Sequence, residues 1–147
     1  MLSLIDFVYL NDEQKLLVFK ARYAASSLLT YKKTSFNAFL NFIKYLKFKQ
    51  NAKYFMLLEN DDFIGVIGFY DIKNSSAKIA FYKNTQQTKV GKIIINELLK
   101  KAKNLEIKTL FADVKVENSK ALSLLNDFEF YKIQSKNAKI LTLQKNI

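Results

Sequence analysis

The hydropathy pattern of the 147 residues predicts a mixed α/β (α+β) fold: a mostly antiparallel central sheet of about seven strands flanked by four helices, in the order β-α-α-β-β-β-α-β-α-β-β. Three observations carry this. Short apolar or alternating runs are interleaved with four stretches whose apolar residues recur at helical spacing. Polar turns at Asn60-Asp61-Asp62 and Asn74-Ser75-Ser76 join three successive strands as antiparallel neighbours. The run over residues 79–99 then passes from apolar strand through a polar loop into a helix, and a further strand follows it.

Residues 2–10 read as the first strand. Asn11, with Gln14 three residues on, forms a capping box for a helix over 12–23, with Leu16, Leu17, Phe19 and Tyr23 as its apolar residues. Residues 24–33 have no clear period and read as a loop or frayed helical turn. A second amphipathic helix covers 35–49, with Phe36, Phe39, Leu40, Ile43 and Leu46 on one face. Strands at 54–58 and 63–72 make a hairpin, and Gly65 and Gly68 within the second mark a bulge or a close backbone approach. A strand at 78–82 leads to a helix over 88–103, whose apolar positions are Val90, Ile93, Ile94, Leu98 and Leu99. Residues 109–116 alternate as a strand parallel to the one before that helix. Asn118 is placed to cap a short helix to about 125, and strands at 128–133 and 139–143 finish the chain. With no repeat and no Gly/Ser linker, residues 1–147 are expected to form a single domain.

Composition narrows the chemistry. Half the residues are apolar, with 13 Phe and 8 Tyr, which argues for a packed core. No apolar run is long enough to span a bilayer and no basic region precedes a signal-like core, so a cytoplasmic protein with no membrane partner is expected. Cys and His are absent, which removes the thiolate nucleophile, the zinc-thiolate site and the commonest general base; no metal is expected. Catalysis must rest on Tyr, Ser, Asp, Glu, Lys, water or backbone amides. The net charge of +11 comes almost wholly from Lys, with Arg22 the single arginine. These lysines are scattered through every segment without a nucleic-acid-binding module, so they read as a solvated surface rather than a nucleic-acid interface.

The loop before the helix at 88–103 is the candidate site. The first amides of a helix have no intrahelical partner and lie at the positive end of its dipole, which suits a phosphate or pyrophosphate; an ordinary strand-to-helix connection is the other reading.

This order of elements, with the central strand-loop-helix and Asn118-Ser119-Lys120-Ala121, resembles the GCN5-related N-acetyltransferase (GNAT) superfamily. Within it the chain looks most like the acetyl-CoA-dependent N-acetyltransferases of pseudaminic acid biosynthesis, which act on a UDP-linked amino-deoxysugar. The resemblance spans nearly the whole chain, through Leu10-Asn11-Asp12, Lys15-Leu16-Leu17-Val18, Arg22, Phe42-Ile43, Tyr54-Phe55, Ile64-Gly65-Val66, Tyr82-Lys83-Asn84 and Glu117-Asn118. It implies acetyl-CoA as co-substrate, a nucleotide-sugar acceptor and direct transfer. The superfamily's loop pattern falls on Gln86-Gln87-Thr88-Lys89-Val90-Gly91, with Lys89 where a glycine is usual. Lys89 narrows the approach of a phosphate or pairs with it, and Gly91 retains the last small position. The resemblance therefore implies a pyrophosphate seat at Gln86, Gln87, Thr88, Lys89, Val90, Gly91 and Lys92, with further coenzyme contacts from Phe81, Tyr82, Asn118 and Lys120. A backbone N–H near Phe81 is the implied oxyanion donor, and Asn118 is read both as a coenzyme contact and as a helix cap. Arg22, Tyr70 and Tyr82 are the candidates for holding the acceptor, with further recognition expected from residues 23–33; for Arg22 a helix-end cation and for Tyr82 a strand aromatic are the plain readings.

Three departures matter. Where the superfamily has a tyrosine to protonate the departing thiolate, this chain has Leu125; the usual Asn-His-Pro after Arg22 is Tyr23-Ala24-Ala25; and a family histidine is Phe39. Ser123 and Tyr131 are the nearby alternative proton donors, though nothing in the sequence positions them. The residues thus fit a weakened N-acetyltransferase or, alternatively, an inactive scaffold that binds coenzyme A or a nucleotide. A strand edge near the C-terminus offers a homodimer contact.

Overall fold

The computed structural model describes residues 1–30 and 33–147. The strands are β1 (Leu2–Asp6), β2 (Lys53–Glu59), β3 (Asp62–Lys73), β4 (Ser76–Lys83), β5 (Thr109–Lys115), β6 (Tyr131–Asn137) and β7 (Ile140–Asn146). The helices are α1 (Asp12–Ala25), α2 (Phe36–Leu46), α3 (Gly91–Asn104) and α4 (Ser119–Asp127), so the predicted order holds. All the strands lie in one sheet, β1-β2-β3-β4-β5-β7-β6, antiparallel throughout except at β4–β5.

Strand alternation sends side chains to two cores. On β2, Phe55 and Leu57 pack with Ile94, Ile95 and Leu98 of α3 and Ala121 and Leu125 of α4, whereas Met56 and Leu58 join Val18 and Ala21 of α1 and Phe39, Ile43 and Leu46 of α2. The second core is aromatic: Phe7 lies 5.6 Å from Tyr54 and 6.2 Å from Phe39, and Phe19 lies 5.2 Å from Phe36 between ring centroids.

Local chemistry sets the boundaries. The capping box forms, with Gln14 N donating to Asn11 Oδ1 at 2.8 Å and Asn11 N donating to Gln14 Oε1 at 3.0 Å. Ser35 and Asn118 cap α2 and α4 in the same way, accepting from Ala38 N and Ala121 N. Both central hairpins turn through consecutive residues at positive φ, Asn60 and Asp61, then Asn74 and Ser75, the geometry of tight two-residue hairpins. Gly65 is required by a close approach: a Cβ there would stand 2.5 Å from the Tyr82 carbonyl oxygen and 2.8 Å from Ile94 Cδ1. Its absence lets the first turn of α3 settle against β3.

Several elements differ from expectation. The first strand stops at Asp6, whose carboxylate accepts from Val8 N at 3.0 Å and starts a 3-10 turn over Phe7–Tyr9. On α1 the buried residues are Val18 and Ala21, while Leu16, Leu17 and Tyr23 are exposed. That helix runs on to Ala25, α2 ends at Leu46, and α3 starts at Gly91 rather than residue 88. Phe128 belongs to the C-terminal cap of α4, so β6 begins only at Tyr131, and β7 reaches Asn146. Of the loop expected over 24–33, residues 31 and 32 lie outside the described residues.

Candidate active site

The parallel pair β4–β5 is matched only at Ser76↔Thr109, Ala77↔Leu110 and Lys78↔Phe111. Each strand then continues with its other neighbour, β4 along β3 to Lys83 and β5 along β7 to Lys115. The two therefore diverge, and the residues from Ile79 on β4 and from Ala112 on β5 face one another across a gap. Opposite the start of the divergence β3 carries a bulge between Tyr70 and Lys73, with Asp71 at φ 50°, and such bulges increase local twist. The gap is lined by Ile79, Ala80 and Phe81 on one side and Ala112, Asp113 and Val114 on the other, with Asn118 and Ala121 of α4. Leu28, Leu29 and Thr30 lie over it. They are strapped down by Lys115 Nζ donating to Ser27 O at 2.8 Å and Asn118 Nδ2 donating to Leu28 O at 3.4 Å. The free space in the gap is about 40 Å³, room for water.

α3 begins beside the gap and differs from the other helices. Val90 occupies its N-cap without a side-chain hydrogen bond, whereas Asn11, Ser35 and Asn118 cap the other three; like α2 and α4, it has no acidic residue in its first turn. Asn84 fixes the preceding loop to β3, its backbone N–H donating to Ile64 O at 2.8 Å and its Nδ2 to Phe63 O at 3.2 Å. Lys83 Nζ donates to Gln87 O at 2.8 Å. Lys89, at the usual glycine position, sits at φ 57°, a left-handed conformation that favours glycine. Gln86, Thr88, Lys89 and Lys92 are exposed, Gln87 and Gly91 half-buried; the Val90 side chain is buried in the core, so only its backbone faces a ligand. Free amides at a dipole's positive end, ringed by lysines, are a donor set that fits a diphosphate. Gly91 has a second reason to be small: a Cβ would lie 3.0 Å from Leu124 Cδ2 on α4. Lys120 is exposed one turn before Leu124 on that helix.

On the opposite face of the sheet a cleft of about 450 Å³ opens between α1, α2 and the strands. Arg22 lines it from the last turn of α1, with Nη1 donating to Thr34 Oγ1 at 2.9 Å. Tyr82 lines the same cleft, so its side chain lies across the sheet from α3, whereas neighbouring Phe81 packs on the α3 side. Tyr70, Thr30 and Asp113 line both gap and cleft and form the throat between them. Burial, with the charges of Asp113 and Asp71, pushes the Tyr70 hydroxyl up to about 12, which keeps it a neutral phenol.

The sequence reading missed Asp113 and its partners. The Asp113 side chain is only 6% exposed, accepts from Thr142 Oγ1 at 2.6 Å and lies 3.4 Å from both Lys78 Nζ and Lys136 Nζ. Burial opposes its charge, but the Thr142 hydroxyl and the two ammonium groups outweigh that and hold the carboxyl below its usual range. An acidic residue within an otherwise apolar strand was the available signal, since buried carboxylates need partners. Lys136 was out of reach because the strand had been expected to end at residue 133. Asn118 caps α4, as its plain reading has it, and also lines the gap. Leu125 is fully buried in the core, and Ser123 and Tyr131 are exposed and line neither gap nor cleft. Among the described residues no cluster of His, Cys, Asp or Glu could hold a metal ion, and no helix is long and apolar enough to cross a membrane.

The profile of the Acetyltransferase (GNAT) family matches residues 19–130. Acetyltransferase PseH of Campylobacter jejuni, from two strains, is 35% identical over 136 residues, covering 89% of this chain and 87% of the relative. The crystal structure of the C. jejuni N-acetyltransferase PseH in complex with acetyl coenzyme A matches with a TM-score of 0.86 at 29% identity, over 99% of each chain. Spermidine N-acetyltransferase from Vibrio cholerae in complex with CoA and spermine shares the fold, with a TM-score of 0.86 at 16% identity over 99% of this chain and 95% of that one.

Proposed function

Because the chain belongs to the GNAT acetyltransferase family, we propose that it transfers the acetyl group of acetyl-CoA to the amino group of a UDP-linked amino-deoxysugar, of the kind used in pseudaminic acid biosynthesis. It is an N-acetyltransferase, and residues 1–147 act as a single domain in the cytoplasm. One observation carries the reading: the gap between β4 and β5, bordered by Asn118 and Ala121 of α4, meets the Arg22-lined cleft through a throat at Tyr70, Thr30 and Asp113, and the strand that forms one side of it leads directly into the uncapped α3.

Bound acetyl-CoA supplies an activated thioester. The amides of Gly91 and its neighbours, with Lys89, Lys92 and Lys120, hold its diphosphate; the unpaired edge of β4 and Asn118 guide its arm. A backbone N–H near Phe81 stabilises the negative charge that develops on the thioester oxygen. Arg22, Tyr70 and Tyr82 hold the acceptor in the cleft. Tyr70 is the phenol at the throat, and burial with the charges of Asp113 and Asp71 raises it to about 12, which makes it a poorer proton donor than an ordinary tyrosine near 10. Transfer therefore runs on proximity and the oxyanion site and is slow, by about 10²–10⁴-fold relative to an enzyme with a matched general acid.

The burial of Leu125 also favours a second reading, a scaffold that binds the coenzyme without turning it over. Thiol release from acetyl-CoA in the presence of a UDP-linked amino-deoxysugar separates the two. Release that depends on the acceptor supports the enzyme; acetyl-CoA binding without release supports the scaffold.

A further inference from the structure

We propose that the C-terminal hairpin takes part in acceptor recognition: Lys136 of β6 and Lys78 of β4, both tethered to Asp113, form a two-ammonium seat for the diphosphate of a nucleotide-linked acceptor. This rests on the reading of the wide cleft as the acceptor site. Among the described residues, the charged ones lining that cleft are Arg22, Lys78, Lys136 and Asp113, three cations against one carboxylate. Such an excess inside a concave, partly desolvated site attracts an anion more strongly than it would on an open surface. Asp113 carries one negative charge and cannot neutralise both lysines, which share its Oδ2 while Thr142 donates to Oδ1.

The distances fit a tether rather than a pair of closed ion pairs. Both N···O separations are 3.4 Å, longer than the roughly 2.7–2.9 Å of tight charge-assisted bonds. Each ammonium carries three donors and directs one at Asp113, so donors remain for a ligand. Exposed Lys136 gains little stability from this pairing and Lys78 is half-buried, whereas the carboxylate is costly to bury. Holding two cations at the mouth of a cleft is a use that accounts for that cost. Register supports it: Lys78 is opposite Tyr70 and Thr142 opposite Asp113, so the seat lies on the strands that form the throat. Lys136 comes from an edge strand whose residues are all exposed, and the bulge between Ser135 and Asn137 falls at its position.

Titration calorimetry with UDP, inorganic phosphate and acetyl-CoA tests the proposal on Lys136→Ala, Lys136→Arg and Lys78→Ala. UDP should bind the wild-type protein more tightly than inorganic phosphate. Each alanine variant should lose about tenfold in UDP affinity, with Lys136→Arg restoring most of it, since one charge-assisted contact is at stake. Acetyl-CoA affinity should stay unchanged, because α3 lies on the other face, and with a turning-over acceptor the alanine variants should raise KM while leaving kcat in place. UDP affinity unaltered in both alanine variants overturns the seat and leaves the acceptor reading standing. Failure of the wild-type protein to bind UDP while it binds acetyl-CoA overturns both. Lys136 lies on an exposed edge, so its variants decide the matter if Lys78→Ala does not fold.

Discussion

Replacing Lys89 by glycine tests whether the loop before α3 is built for a phosphate at the expense of backbone comfort. Lys89 sits at φ 57°. A non-glycine residue there costs about 1–3 kcal/mol, and glycine returns about 0.4–1 kcal/mol through the greater freedom of its unfolded chain. The net expectation is a gain of about 1 kcal/mol. With an unfolding entropy of about 2.1 cal/mol/K per residue, 147 residues convert this into a rise of about 3 °C in Tm. The ligand effect separates two roles of the side chain. If the lysine mainly restricts the approach of the diphosphate, Lys89→Gly binds acetyl-CoA more tightly and Lys89→Ala does not, since alanine keeps the strain and loses the charge. If the ammonium mainly pairs with phosphate, both variants weaken binding. Differential scanning calorimetry and acetyl-CoA titration read both quantities. A Tm that falls in Lys89→Gly would refute the strain argument.

Leu125→Tyr should raise kcat at least tenfold in a thiol-release assay, at a cost of about 1–3 kcal/mol for overfilling a fully buried site; a folded variant that binds acetyl-CoA with unchanged kcat would put the missing acid elsewhere. Gly91→Val should lower stability and acetyl-CoA affinity together by pressing on Leu124, and adding Leu124→Ala should recover both; unaltered affinity in the single variant would remove Gly91 from the site. For Asp113 the sign follows from its depressed pKa: its stabilisation is present above the unfolded value of about 3.9 and is lost as pH falls through the lower folded value. Asp113→Asn should therefore be less stable than wild type at pH 7, with the difference closing below about pH 4 in urea titrations. A difference that stays constant down to pH 2 would mean Asp113 is not held as a charged group.

Much of the fold was legible because its punctuation is local. Asn11 and Asn118 are caps by residue type and spacing, and the Asn60-Asp61 and Asn74-Ser75 turns need residues that tolerate positive φ. The helix read over 88–103 starts three residues later, at Gly91, after a loop that Asn84 pins to β3 through hydrogen bonds made only in the assembled sheet. Leu16 and Leu17 misled because α1 packs through the smaller Val18 and Ala21, which join Phe7 and Phe39 in the second core. Within the site, the strand-loop-helix was readable from the order of elements, and Arg22, singled out by the family resemblance, lines the cleft. The Asp113 cluster was not, since it joins β4, β5, β6 and β7 and depends on a register that only the assembled sheet defines.

The account turns on the amides at the front of α3. Titrating isotope-labelled protein with acetyl-CoA and following the backbone N–H resonances of Gly91, Lys92 and Ile93 addresses them directly. Saturable shifts at these three positions, accompanied by shifts at Phe81 and Asn118 across the β4–β5 gap, are the predicted result. Saturable binding that leaves all three unmoved would contradict it.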